Sequence, residues 1–127
     1  MNARPHSFED LWIWQEARLL VKAVYADFGP DSPGARDYIF KGQIQGCGIS
    51  IMNNIAEGFE REPVADYARF LDIAKGSCGE MRSMYYVAED VRYVTAEIAK
   101  ERRAMALKIS KGISSLTQKL RQPHNTP

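Results

Sequence analysis

Apolar residues recur along this chain at three- and four-residue steps in four stretches, and nowhere alternate at the two-residue step of a half-buried strand. The first stretch, about 8–28, carries a stripe of Ile13, Ala17, Leu20, Val21, Val24 and Phe28. It opens at Ser7, a capping residue type with Asp10 three positions on, and closes before the turn-rich run from Gly29 to Gly34. The second, about 36–60, presents Phe40, Ile44, Cys47, Ile51, Ile55 and Phe59 on one face. Pro63 suits the first turn of the third, about 63–91, whose stripe runs through Tyr67, Phe70, Leu71, Ala74, Cys78, Met81, Tyr85 and Ala88. Thr95 has the chemistry of an N-cap for the fourth, about 95–121, with Ile98, Met105, Ile109, Ile113, Leu116 and Leu120. Four such rods joined by short turns become antiparallel neighbours. The spacing therefore predicts an all-α chain, a single antiparallel up-and-down four-helix bundle over 1–127 with frayed ends.

Some residues fall outside these stripes. At roughly 100° per residue, Phe8, Trp12, Leu19 and Ala23 form a second apolar strip on the first helix. A tryptophan lying flat on the surface accounts for it, and so does a subunit contact; we expect self-association. Gly42, Gly46 and Gly48 each cost a helix roughly 1 kcal/mol relative to alanine, which implies close approach by another backbone or a local bend. Beside the apolar face of the second helix runs a polar strip of Ser50, Asn54, Glu57 and Gly58, followed by Arg61 and continued in the third helix by Ser77 and Glu80. Asn54 and Glu57, three residues apart, can face the same neighbouring helix. The strip is either a structural seam that fixes register or a partner site. Arg61 fits the helix dipole and equally a phosphate.

The formal net charge of +1 hides an uneven distribution. From Arg92 onward there are eight Lys and Arg against two acids, leaving nine basic against fourteen acidic residues before it. The last helix thus either meets an acidic partner or neutralises acidic neighbours within the fold or an oligomer. Lys100, Arg103, Lys108, Lys111, Lys119 and Arg121 are the candidate contacts to RNA or DNA, which would be salt-sensitive and sequence-tolerant; a solvated lysine face gives the same pattern. Chemistry beyond binding finds little support. His6 and His124 sit in the tails, no Ser/His/Asp set or phosphate loop is present, and Glu57 and Glu80 lack the histidine three residues on that a dimetal bundle site uses. No enzymatic activity, metal or cofactor is expected. Cys47 and Cys78, without CxxC spacing, read as buried thiols of a reducing compartment. No stretch reaches bilayer length, so a cytoplasmic location without membrane contact is expected.

The run Phe8-Glu-Asp-Leu11-Trp-Ile-Trp14-Gln-Glu-Ala17, the stretch Ser50-Ile-Met-Asn-Asn54-Ile-Ala-Glu57-Gly58 with Arg61, and Tyr67, Phe70, Ala74, Ser77 and Glu80 resemble the four-helix bundle proteins encoded in intervening sequences of 23S ribosomal RNA genes. The likeness spans about Phe8 to Leu120. It implies a ring-like homopentamer, no established enzymatic activity, and kinship with the accessory proteins of diversity-generating retroelements. Those are similar bundles that engage nucleic acid and a reverse transcriptase, so RNA, DNA or such an enzyme joins the chain itself among the implied partners. This chain departs from the family pattern at Met52, where proline is common, and at Gly46 and Gly48, where small or basic residues are usual. It departs again at Trp12, where a charged residue is common, and at Arg92, where glycine precedes Tyr93.

Overall fold

Each apolar stripe finds the others. Ile13, Leu20, Val24 and Phe28 from the first helix, Ile44, Ile51 and Ile55 from the second, Leu71, Met81 and Tyr85 from the third, and Ile109 and Ile113 from the fourth are at most 3% exposed and form one continuous core. The computed structural model describes residues 5–123. A short 3-10 turn, Phe8–Asp10, precedes α1 (Trp12–Asp27), α2 (Tyr38–Phe59), α3 (Val64–Asp90) and α4 (Ala96–Arg121). Each helix packs on the next and α1 also packs on α4, so the chain is an up-and-down four-helix bundle with no strand among the described residues. The α1–α4 face and the α2–α3 face lie on opposite sides of it.

Local chemistry sets the helix ends, and two starts differ from the periodicity. Ser7 is extended and makes no side-chain cap, and Leu11 is extended as well, so α1 begins at Trp12 rather than near residue 8. The second helix starts at Tyr38 because the Asp37 carboxylate accepts from the Phe40 backbone N–H at 3.1 Å. Pro63 occupies the N-cap position of α3 rather than its first turn. Thr95 caps α4 as its chemistry suggests, its hydroxyl accepting from the Ile98 N–H at 3.2 Å.

The second helix runs unbroken through Met52. Gly48 is its point of close approach, since a Cβ there would lie 3.2 Å from Val21 Cγ2 and 3.4 Å from Met81 Cε. Gly42 and Gly46 have nothing within 4 Å of the same point, so no approach within the chain explains them. The α3–α4 turn keeps the form a glycine would give it. Arg92 takes a left-handed φ of 64°. The Tyr93 N–H then reaches back to the Ala88 carbonyl at 2.8 Å, and the Arg92 N–H to that of Glu89 at 3.0 Å, the two bonds of a Schellman cap.

Candidate functional site

The polar strip of α2 divides between two jobs. Its upper part is a seam with α3: the Ser50 and Ser77 hydroxyls bond at 3.0 Å, and the Cys47 thiol donates to the Ser77 carbonyl at 3.1 Å. Asn54 does not cross to α3. Its amide donates within α2 to the Ser50 carbonyl at 2.8 Å and the Ser50 hydroxyl at 3.1 Å, holding that hydroxyl toward Ser77. Burial, followed by the nearby Glu80 charge, pushes the Cys47 thiol up to about 11, and burial takes Cys78 up to about 12, so both are protonated at neutral pH. Gln43, Cys47, Ser50, Ser77, Glu80 and Met84 line a shallow groove of about 460 Å³ along this seam.

Its lower part closes the α2–α3 turn. Glu57 does not face α3 with Asn54, but pairs with Arg61 at 2.8 Å while both stay about half exposed. The Arg61 guanidinium also lies 5.1 Å from the centre of the Phe70 ring. Gly58 is buried where α3 crosses: a Cβ there would stand 3.0 Å from Phe70 Cβ and 3.1 Å from the Tyr67 carbonyl oxygen. Within this motif Asn54 bonds inside α2 and Gly58 is packed against α3, while Glu57 stays about half exposed beside Arg61. The sequence contains no sign of Gly58's role because its neighbours lie in another helix.

On α1, Trp12, Leu19 and Ala23 share a flank, but Phe8 does not join them. Leu11 breaks the helix between them, and the Phe8 ring instead meets Trp14 edge-on at 5.1 Å. The Trp12 ring lies over Gly112 of α4, where a Cβ would come within 2.5 Å of it, yet 48% of the residue remains exposed. Leu19 is 53% exposed.

The basic residues of α4 are largely spoken for. Arg103 pairs with Glu89 at 2.9 Å and stacks over Tyr86, Lys108 pairs with Glu16 at 2.8 Å, and Arg121 grips Asp72 at 2.6 Å. Arg102, outside the predicted set, forks onto Asp27 at 2.8 and 2.9 Å. That leaves Lys100, Lys111 and Lys119 exposed and without an ion pair among the described residues. The excess charge of the last helix therefore mostly answers carboxylates of α1 and α3. His6 lies outside any helix, and His124 falls outside the described residues.

Sequence reasoning missed two polar clusters at the other end of the bundle. Asp27 accepts from the Tyr85 hydroxyl at 2.7 Å as well as from Arg102, and with side chains 5% and 14% exposed the ion pair ties α1, α3 and α4 together. Burial and this bond to Asp27 hold the Tyr85 phenol far above its ordinary range, and the bond to Asp27 raises Arg102 as well. Nearby, the Tyr93 hydroxyl donates to Asp37 at 2.6 Å, which lowers the carboxyl and raises the phenol. The position of Asp27 beside Val24 and Phe28 in the α1 stripe was the available signal. A groove of about 620 Å³ opens beside Asp27, walled by Pro33, Tyr93, Val94 and Ile98. Among the described residues no three His, Cys, Asp or Glu gather as metal ligands, and no helix is long and apolar enough to cross a membrane.

These features define an all-α bundle with partly buried polar cross-links and several apolar side chains exposed at its surface. Residues 9–115 match the model of the 23S rRNA-intervening sequence protein family, and the chain belongs to that family. Its fold is similar to a crystal structure of a protein of unknown function from the S23 ribosomal protein family of Bacteroides thetaiotaomicron. The two share 19% identity at a TM-score of 0.76, over 84% of this chain and 98% of that one. No curated protein matches.

Proposed function

We propose that this protein is a non-catalytic interaction module that self-associates and works through protein–protein contacts. The observation that carries the reading is apolar side chains left in water on α1 and α2 of a bundle whose core is already complete. Tyr38 and Ile39 are 75% and 78% exposed on α2, and Trp12 and Leu19 are 48% and 53% exposed on α1. Family membership is in keeping with it but assigns no role. Light scattering at micromolar concentration tests it. A species larger than one chain, unaffected by nuclease, is expected; a monodisperse monomer contradicts self-association.

Lys100, Lys111 and Lys119 favour a second reading, an accessory that holds RNA or DNA and assists a nucleic-acid enzyme such as a reverse transcriptase, with an oligomer, a pentamer in the ring form, multiplying weak contacts. Filter binding of labelled RNA and DNA at two salt concentrations decides it: no retention at low salt removes this reading and leaves the first standing.

A further inference from the structure

We infer that the α1 flank is the docking site for an acidic amphipathic helix of a different protein. Its apolar side chains would cover Trp12 and Leu19, and its carboxylates would meet the cations around them. This docking rests on the protein-contact reading above, whose partner it specifies, and needs no self-association.

The apolar part has two anchors. Trp12 and Leu19 lie two helical turns apart, about 10 Å, and both are about half exposed. Each borders its own hollow of about 340 Å³. The hollow at Trp12 is walled by Leu11, Ile13, Gly112, Leu116 and Lys119, and the one at Leu19 by Trp14, Gln15, Arg18 and Lys22. The edge of the Trp12 ring bears on Gly112, where no Cβ would fit. A side chain seated in this way loses little freedom when a partner covers it. A helix laid along α1 presents apolar side chains at the same two-turn interval and so reaches both anchors.

Charge fixes what the partner must carry. Both carboxylates of α1 are engaged by α4, Glu16 by Lys108 and Asp27 by Arg102. The cations are not. Arg18 and Lys22 on α1 and Lys111 and Lys119 on α4 are exposed and form no ion pair among the described residues. Glu9 and Asp10 lie ahead of Trp12, at one end of the strip. An apolar strip edged by free cations suits a helix that carries Leu or Phe among Asp and Glu, and disfavours a basic one. The same cations would attract phosphates, but a nucleic acid leaves Leu19 unused, because bases gain by stacking on aromatic rings.

Selection from a phage-displayed library of random peptides, each long enough for roughly four helical turns, lets the surface choose its ligand. The enriched peptides should be net negative, with apolar residues at helical spacing. Fluorescence anisotropy of one such peptide, labelled with fluorescein, then reads its affinity for variants whose folding circular dichroism confirms. L19E and K111E/K119E should each weaken binding roughly tenfold or more, the first by removing an apolar anchor and the second by reversing charge. K100E, the same reversal at the other end of α4, should leave it unchanged. Basic peptides, no enrichment, or an affinity indifferent to L19E or to K111E/K119E overturns the docking. So does labelled oligothymidylate that displaces the peptide and binds more tightly, which would make the flank a nucleic-acid surface. Light scattering reports on self-association separately: a monomer that binds the peptide upholds the docking, and an oligomer that binds none defeats it while self-association stands.

Discussion

A methyl group added at position 58 has nowhere to go, whereas one added at position 79 meets nothing within 4 Å. Both glycines lie inside helices, where alanine is favoured by about 1 kcal/mol. Gly58→Ala must also push against Phe70 Cβ and the Tyr67 carbonyl oxygen, and overpacking of this kind costs about 1–3 kcal/mol, the larger effect. Urea unfolding should therefore find Gly58→Ala destabilised by about 1 kcal/mol and Gly79→Ala stabilised by up to about 1 kcal/mol. At position 92 the backbone conformation is fixed by the cap and the side chain is at odds with it. A non-glycine residue in the left-handed region costs about 1–2 kcal/mol, partly offset by the greater freedom glycine brings to the unfolded chain. Arg92→Gly should raise stability by about 0.5–1 kcal/mol, and a fall in urea midpoint would show that the arginine side chain makes up the strain. Both glycine 58 and arginine 92 stand out in the sequence, one inside a distinctive motif and one as a departure from the family pattern. What each does depends on φ or on a neighbouring backbone, which residue order does not display.

Between elements, the apolar stripes were legible because burial imposes the helical period on every core residue. The polar cross-links were not. Asp27 meets partners 58 and 75 residues away, and Tyr93 meets Asp37 from 56 away, distances over which no periodicity operates. The Asp37–Tyr93 bond joins the N-terminus of α2 to the α3–α4 turn, beside rings of Phe28, Phe40 and Tyr93 packed at 5.7–6.3 Å. Its pH signature follows from the two shifts. The Tyr93 bond, then the Phe40 N–H, lowers the Asp37 carboxyl, so its stabilisation is present above the ordinary carboxylate pKa of about 4 and fades as pH falls through the lowered folded value. The Tyr93 phenol is raised, mainly by Asp37, so its share is present below about 10 and fades as pH climbs toward the raised value. Tyr93→Phe should thus be less stable than the wild type at neutral pH, with the gap narrowing at both acid and alkaline extremes. A gap constant across pH would mean that the hydroxyl matters only for packing.

For the whole molecule, the charge imbalance was plain in the sequence but its meaning was open, since an acidic neighbour inside the fold and an acidic partner outside it leave the same composition. The bundle places Asp27, Glu89, Glu16 and Asp72 against Arg102, Arg103, Lys108 and Arg121, and so engages three of the six basic residues expected to meet a phosphate backbone. This limits the nucleic-acid reading quantitatively. Each phosphate neutralised on duplex DNA contributes about −0.9 to the slope of log affinity against log salt. If all six predicted basic residues made contacts, a fourfold rise in salt would weaken binding by roughly 2000-fold; the three lysines without ion pairs allow about 40-fold per contacting chain. We predict that any duplex binding, expressed per contacting chain, follows the shallower dependence and vanishes in K100E/K111E/K119E. A slope near −5 per contacting chain would mean that Arg103, Lys108 and Arg121 exchange their carboxylates for phosphates. For Lys108 and Arg121, solvent-exposed pairs worth about 0–1 kcal/mol, that exchange costs the fold little, whereas Arg103 is largely buried over Tyr86 and would have to leave its seat.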